Sequence, residues 1–406
     1  MAKALLGNCD PAGLNGRRVV VRCDLNVPLD SDGRVSDDTR IRRSLPTLER
    51  LARDGARTVV LSHLGRPGGQ PVPECSLEPA ALRLAELADV AVHFCPNLVN
   101  EAAATAVAAL APGEVLVLEN TRFEPGETRN DEALAERLAD YGDLFVQDAF
   151  GAAHRAHASN EGVARVIRSR GGQAVAGLLL EQELHHLQGL LDDPARPFTA
   201  VIGGAKISGK IDVIESLLPR VDHLLIGGAM ANTFFKALGF EVGDSLVEDD
   251  RLDVARDVLE RAGERLLLPI DARVTEQIAP GATGRVVARD AVGSGDRIAD
   301  IGPETVKLYR GVLLDSRTIL WNGPMGVFEI EEFAAGTFGV AEAVAEAADA
   351  GAATVVGGGD SVAAVEQAGI AERIGHISTG GGASLELLSG ATLPGVDILS
   401  EAEELA

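Results

Sequence analysis

The stretch Val201–Lys210 reads VIGGAKISGK, two glycines followed by Lys206 and Lys210 at a spacing of four. The chain has only five lysines against 32 arginines, so two lysines this close are unusual. Ile211, Ile214, Leu217 and Leu218 recur at helical spacing, which predicts a helix with both lysines on its first turn. Two cations there oppose the helix dipole and each other. An anionic ligand relieves that conflict, and glycine backbone beside a helix N-terminus is suited to receive one. Two solvated surface lysines are the alternative. From Gly204 the stretch matches most of a P-loop, G-x-x-x-x-G-K, but Ile211 stands where the motif needs Ser or Thr.

Three further strand-to-helix junctions are rich in glycine. They are LLIGGAMANTFF (224–235), with Gly227 and Gly228; TVVGGGDSVAAV (354–365), with Gly358, Gly359, Asp360 and Ser361; and HISTGGGASLELL (376–388), with Gly381 and Gly382. One such turn signals tight packing, whereas four in one region suggest a polyphosphate or nucleotide cradle. Asp360 fits a Mg2+ carboxylate or a helix N-cap equally well. The dinucleotide fingerprint G-x-G-x-x-G, H-E-x-x-H and G-x-S-x-G are absent, and DSDG (30–33) fails as an EF-hand loop.

The first half of the chain places arginines at the ends of apolar runs. VVVRCDLNVPL carries Arg22, Asp24 and Asn26, and Arg40 opens the next helical pattern. LSHLGRP carries His63, Gly65 and Arg66; LENTRF carries Arg122; DAFGAAHRAHAS carries His154, Arg155 and His157. Guanidinium groups recognise phosphate and carboxylate bidentately. Converging on one place, they would repel one another without an anion between them. His154 and His157 have the spacing of a metal pair but no evident third ligand. No nucleophile or general-base signature accompanies these groups. Phosphoryl transfer to an acceptor that is already ionised needs positioning and positive charge instead.

These residues need a scaffold that presents strand ends. Residues 17–21, 58–61, 115–118, 144–146, 199–202, 224–226, 319–321 and 354–356 form short apolar runs. Helical patterns such as 41–53 and 130–139 lie between them. This βα alternation predicts an α/β fold of doubly wound parallel sheets, with ligands at the carboxyl ends of the strands. Leu180, Leu184, Leu187 and Leu191 predict a joining helix over 177–191, stopped by DDPARP.

The net charge of −24 argues against a nucleic-acid coat or a membrane-surface protein. It is unevenly spread, with −4 over residues 1–176 and −20 over 177–406, which suggests two domains with different ligands. No apolar run reaches the length of a membrane span, and no export signal is evident, so a cytoplasmic protein with four free cysteines (9, 23, 75 and 95) is expected.

Taken in order, VRCDLNVPL, SHLGRP, LENTRF, AFGAAHRAHAS, GGAKISGKI, GGAMANTF, WNGPMGVFE, GGGDS and STGGGASLE resemble the phosphoglycerate kinase family over essentially the whole chain. The resemblance implies two doubly wound parallel-sheet domains facing across a cleft. These are 1–176 for 3-phosphoglycerate, 177–197 as connecting helix, 198–388 for nucleotide, and 389–406 as a tail packing back on the first. It implies reversible phosphoryl transfer between 1,3-bisphosphoglycerate and ADP, giving 3-phosphoglycerate and ATP, with Mg2+ carried as Mg-ATP or Mg-ADP and with domain closure. Asp24 and Asn26 would orient the glycerate. His63, Gly65, Arg66, Arg122 and Arg155 would form its binding site, and Arg40 would stabilise the transferring group. Lys206 would support the phosphoryl in flight, and Lys210 and Asn322 would lie at the nucleotide phosphates. Gly227 and Gly228 would line the adenine pocket, and Glu329 would bind ribose. Gly358, Gly359 and Ser361 would flank the phosphates, Asp360 would bind the metal, and amides around Gly380–Gly382 would stabilise the transition state. Ile211 then needs no hydroxyl. Gly209, Thr121 and Ala152 depart from the family pattern, and residues 1–16 are expected to be a local extension. Small-molecule partners only and a monomer are expected. The rivals are an acceptor-independent P-loop-like NTPase, a scaffold without catalysis, and a dehydrogenase that the missing fingerprint disfavours.

Overall fold

The structure is a computed structural model and describes residues 3–405. The chain folds into two compact units, one running to His185 and resuming at Thr392, the other His186–Ala391. The division falls within one helix, Leu178–Asp192.

The first unit is built on a six-stranded sheet. Its strands are β1 (Arg18–Arg22), β2 (Arg57–Leu61), β3 (Val92–Cys95), β4 (Val115–Leu118), β5 (Leu144–Gln147) and β6 (Gln173–Ala176), in the order β3-β4-β2-β1-β5-β6. Every pairing is parallel. Helices on both faces exclude water from the middle strands, so β1 and β4 read as unbroken apolar runs and not as alternations. Val19, Val20 and Val21 are fully buried, each worth about 1.5–3 kcal/mol of transfer free energy. Helix Thr39–Arg53 turns Ile41, Leu48 and Leu51 onto this core. The pattern 130–139 begins its helix at Glu132, because Asn130 takes a left-handed conformation and Asp131 caps Leu134 N–H at 2.9 Å.

The half-exposed β3 and the short β6 complete the sheet and were not foreseen. Outside β6 lie both flanking segments of the unit. Ser400 N–H donates to Ala174 O (2.8 Å), Leu5 bridges Ala176, and Lys3 Nζ holds Asp397 O and Glu401 Oε1, each at 2.8 Å. Residues 30–33 close a tight turn in which Asp30 Oδ1 accepts from the amides of Asp32 and Arg34, and nothing there forms a cation loop.

The second unit repeats the plan. Its sheet comprises β7 (Phe198–Ile202), β8 (His223–Ile226), β9 (Leu266–Leu267), β13 (Thr318–Asn322), β14 (Ala353–Gly357) and β15 (His376–Ile377), all parallel, in the order β15-β14-β13-β7-β8-β9. An antiparallel sheet that the sequence pattern does not reveal is added between β9 and β13: β10 (Asp271–Thr275), β11 (Arg285–Ala288) and β12 (Arg297–Ile301), ordered β11-β10-β12. In each parallel sheet the winding reverses beside the first strand, between β1 and β5 and between β7 and β13. Open α/β sheets bind ligands beyond the carboxyl ends of strands at such points. All four cysteines are free, with Cys23 and Cys95 buried.

Candidate active site

In the first unit the segments at and after the carboxyl ends of β1, β4 and β5 bring Arg22, Arg40, Arg122 and Arg155 around one buried histidine, His63, which follows β2. Arg22 closes β1 and is 1% exposed. Its Nε donates to Ser159 Oγ at 3.0 Å, and its Nη2 lies 3.0 Å from His63 Nδ1. Two residues on, the buried Asp24 accepts from Arg40 Nη1 at 3.2 and 3.1 Å. Asn26 O receives the same Nη1 at 3.1 Å, and Asn26 Oδ1 accepts from Gly65 N–H at 2.8 Å. Arg122 Nη1 donates to Gly65 O at 2.7 Å. Gly65 takes φ +63°, and a Cβ there would stand 2.8 Å from Cys75 Sγ, so glycine is needed on both counts. Arg155 Nε approaches His154 Nε2 at 3.0 Å, and Arg66 is solvent-exposed.

The pKa shifts register how crowded this cationic site is. Burial, then Arg155 and Arg22, lower Arg122 to about 10. Burial, then Arg22, Arg122, Arg40 and Arg155, hold His63 well below the usual histidine range. Burial, then Arg122 and Arg22, bring His157 to about 4. Both imidazoles are therefore neutral at pH 7 while the guanidiniums stay charged. Such a cluster is tuned to receive an anion of more than one charge.

Sequence reasoning missed what anchors these groups. Glu127 is fully buried, and its carboxylate accepts from Ser159 Oγ (2.6 Å), Ser159 N–H (3.0 Å) and Thr121 Oγ1 (3.2 Å). Asn120, equally buried, donates to Leu64 O and Cys75 O at 2.7 Å each and accepts from Arg122 N–H at 2.9 Å. It ties the SHLGRP and LENTRF loops together. Its place inside LENTRF was the only available signal.

In the second unit the glycine turns do different work. Gly203 N–H donates to Asn322 O and Gly204 N–H to Pro324 O, both at 2.9 Å. A Cβ on Gly203 would stand 2.2 Å from Pro324 O, one on Gly227 2.3 Å from Met325 Sδ, and one on Gly228 2.5 Å from Gly204. Gly203 and Gly228 let three loops pack backbone to backbone, and Gly227 makes room for the Met325 side chain. Beside them, and bounded by β12 of the antiparallel sheet, lies a cavity of about 300 Å3. Gly204, Gly228, Pro324, Met325, Glu329 and Asp360 contribute to its lining; Gly227 does not.

The lysines sit differently from expectation. The helix begins at Ile211, with Lys210 as its N-cap, so Lys206 lies in the preceding turn and not on the first helical turn. Glu248 holds that turn open by accepting from Ser208 N–H at 3.1 Å and from its hydroxyl. Lys206 is exposed, whereas Lys210 turns inward and donates to Asn322 Oδ1. Burial lowers Lys210 to about 8, against the opposing charge of Asp360.

Asp360 occupies the first turn of helix Gly359–Gln367, whose N-cap is Gly358. The N-cap alternative is thereby removed, and the carboxylate is exposed at the cavity. Among the described residues no group of three or more His, Cys, Asp or Glu could hold a metal by itself. A single carboxylate fits Mg2+ that keeps its other ligands from phosphate and water. Ser361 is fully buried, its Oγ accepting from Gly323 N–H at 2.6 Å, so its hydroxyl fastens the neighbouring loop. Helix Gly381–Leu388 starts against the same place: a Cβ on Gly381 would be 3.3 Å from Gly358 Cα and 3.4 Å from Gly359 N. Two helix N-termini thus converge beside Asp360 and Asn322, an arrangement suited to phosphate.

Comparison with known proteins agrees with this chemistry. The family model for phosphoglycerate kinase matches residues 9–391. A phosphoglycerate kinase of Chloroflexus aggregans is 55% identical over 393 residues, covering 96% of this chain and 97% of that protein. One from a Synechococcus species is 50% identical over 405 residues, covering 99% and 100%. The solved structure of phosphoglycerate kinase from Coxiella burnetii superposes with a TM-score of 0.86 at 41% identity, covering 98% of each chain. With a guanidinium-lined site on one unit and a glycine-built cavity on the other, the chain belongs to the phosphoglycerate kinase family.

Proposed function

We propose that the first unit binds 3-phosphoglycerate or 1,3-bisphosphoglycerate through Asp24, Asn26, His63, Gly65, Arg66, Arg122 and Arg155, and that the second binds ADP or ATP. The reaction is the family's: a phosphoryl group moves reversibly between the acyl phosphate of 1,3-bisphosphoglycerate and ADP. The observation that carries the assignment of substrates to units is the set of charged arginines around a neutral, buried His63. A small polyanion answers that charge, and the glycine-lined cavity beside Lys210 and Asp360 answers a nucleotide.

The carboxylate of 3-phosphoglycerate is ionised at pH 7, so it attacks the γ-phosphorus without a general base. Arg40, tethered by Asp24, and the exposed Lys206 supply positive charge to the moving group, joined by amides at Gly381 and Gly382. Lys210, held against Asn322, takes the nucleotide phosphates, flanked by the Gly358–Gly359 turn and the backbone at Ser361. Gly228 and Glu329 line the adenosine cavity, while Gly227 acts by close packing against Met325. Bound with the nucleotide, Mg2+ on Asp360 would neutralise charge on the β- and γ-phosphates. Because the substrates belong to different units, transfer requires closure, with 177–197 and 383–393 as the flexing segments. No helix among the described residues is long and apolar enough to cross a membrane. A cytoplasmic monomer that binds small molecules and not nucleic acid is part of the same proposal.

The test is ADP formation from Mg-ATP with and without 3-phosphoglycerate, coupled through glyceraldehyde-3-phosphate dehydrogenase and NADH. Turnover should depend on the glycerate; turnover without it would favour an NTPase. Arg40→Ala should lower kcat by about 100-fold or more and leave ATP binding within about twofold. Equal losses in both would remove Arg40 from its assigned role.

A further inference from the structure

Arg22 is not needed as a direct ligand in the scheme above, yet it is the most completely buried cation of the first unit's site. Every nitrogen of its guanidinium is committed. Nε donates to Ser159 Oγ at 3.0 Å; Nη1 donates to Cys23 O and, at 3.4 Å, to Leu61 O; Nη2 meets His63 Nδ1 at 3.0 Å. Behind it, Ser159 Oγ donates to Glu127 Oε1 at 2.6 Å, and Glu127 is itself fully buried. The order Glu127, Ser159, Arg22, His63 is a continuous buried relay, assembled from residues spread over more than a hundred positions of sequence.

A guanidinium can only donate hydrogen bonds. The imidazole nitrogen facing it must therefore accept, which leaves Nδ1 without a proton and places the ring's single proton on Nε2. The opposite tautomer, or the imidazolium, would set an N–H against an N–H. The serine hydroxyl completes the logic: accepting from Arg22, it must send its own proton to Glu127, so the direction of every hydrogen bond in the relay is determined.

We propose that Arg22, braced by Ser159 and Glu127, is a positioning residue that fixes His63 in its Nε2–H tautomer and so makes it an obligate hydrogen-bond donor to an anionic oxygen of the glycerate. The proposal rests on the reading that His63 meets that substrate. It explains why a histidine serves among so many arginines: it adds a directional donor to a polyanion site without adding charge.

Long-range 1H–15N correlation spectra of the intact enzyme test it. His63 should show an unprotonated Nδ1 and a protonated Nε2, unchanged between about pH 8 and 5.5, across the range where an ordinary histidine titrates. An Nδ1–H tautomer, or titration near 6.5, would overturn the proposal. In Arg22→Met the two tautomers should mix and KM for 3-phosphoglycerate rise about tenfold, with KM for ATP within about twofold. Arg22→Lys should recover part of both. If Arg22→Met fails to fold, Ser159→Ala loosens the same guanidinium and should raise the glycerate KM about threefold with the same tautomer mixing. A folded Arg22 variant whose His63 keeps the wild-type tautomer sinks the idea. His63→Ala separates the underlying reading: an unchanged glycerate KM there removes His63 from the substrate, whatever the spectra show. With both ideas correct, adding Arg22→Met to His63→Ala should cost less than Arg22→Met costs alone.

Discussion

The two units share a winding and a location for their sites but use different materials. In the first, side chains carry the charge: Arg40, Arg122 and Arg155 around neutral imidazoles and Arg66 beside Arg122, with Asp24 and Glu127 as buried anchors. In the second, backbone does most of the work. Glycines at 203, 227 and 228 let loops pack at distances no Cβ would permit, and two helix N-termini meet near Gly358 and Gly381. On the proposed assignment of substrates, the contrast follows from ligand size. A three-carbon polyanion offers little besides charged oxygens, which guanidiniums recognise in a fixed geometry. A nucleotide brings a broad base and a flexible chain of phosphates, which need an open cavity and closely approaching amides.

This contrast is broken most severely by adding a side chain where the second unit has none. Gly203→Val should destabilise that unit by about 4 kcal/mol or more, because its Cβ would stand 2.2 Å from Pro324 O. Trp321, the only tryptophan and fully buried in β13, should report the loss as an earlier fluorescence transition in urea. Gly209→Ala, with nothing within 4 Å of its Cβ, should change stability by less than about 0.5 kcal/mol.

Next in size are losses of charge. Lys206→Ala should lower kcat by about 1000-fold with little change in either KM. Arg122→Ala should instead raise KM for 3-phosphoglycerate by about 30-fold and leave KM for ATP unchanged. The reverse pattern in steady-state kinetics would exchange the duties given to side chains in the two units.

A smaller effect sharpens the comparison through pH. Lys210, lowered to about 8 by burial, loses its charge as pH rises through that value, whereas the arginines of the first unit do not. The kcat/KM for ATP should therefore bend downward above about pH 8, and Lys210→Arg should move the bend to higher pH.

A last change, spread over several pH units, is one the units share. Asp148 in the first and Asp300 in the second are pushed up to about 7, in each case chiefly by burial. Between about pH 4 and 7 the folded protein keeps protons that the unfolded chain releases. Each group therefore costs stability as pH rises through that window, on the order of 1 kcal/mol per pH unit, and no more above it. Asp148→Asn and Asp300→Asn should flatten the slope of stability between pH 5 and 7, read from urea midpoints.

Sequence patterning located eight strands of the two parallel sheets to within a residue, as β1, β4 and β13 illustrate, because strands covered on both faces are uninterrupted apolar runs. It missed β3 and β11, whose mixed burial leaves no such run, and also the mostly buried β6 and β10, whose Gln173, Asp271 and Arg273 interrupt the apolar signal. The candidate site residues were legible by type and by place at strand ends. Their supports were not, because Glu127 and Glu248 act across 32 and 40 residues of sequence, on Ser159 and Ser208. Glu248 is also why GAKISGK forms an open turn and not a first helical turn. Ser361 shows the converse: a hydroxyl in a phosphate-like motif that accepts from Gly323 N–H and holds the neighbouring loop.

The edge of the first unit's sheet bears on synthesis. Strand β6 is flanked by residues 3–5 at Ala176 and by 398–401 at Ala174, so its edge is only partly covered until residue 401 has left the ribosome. The segment 198–391 has all its sheet partners once β15 has emerged. During translation the second unit can therefore finish folding while the unit begun first still exposes part of a strand edge. Over that interval a chaperone has its clearest target at β6.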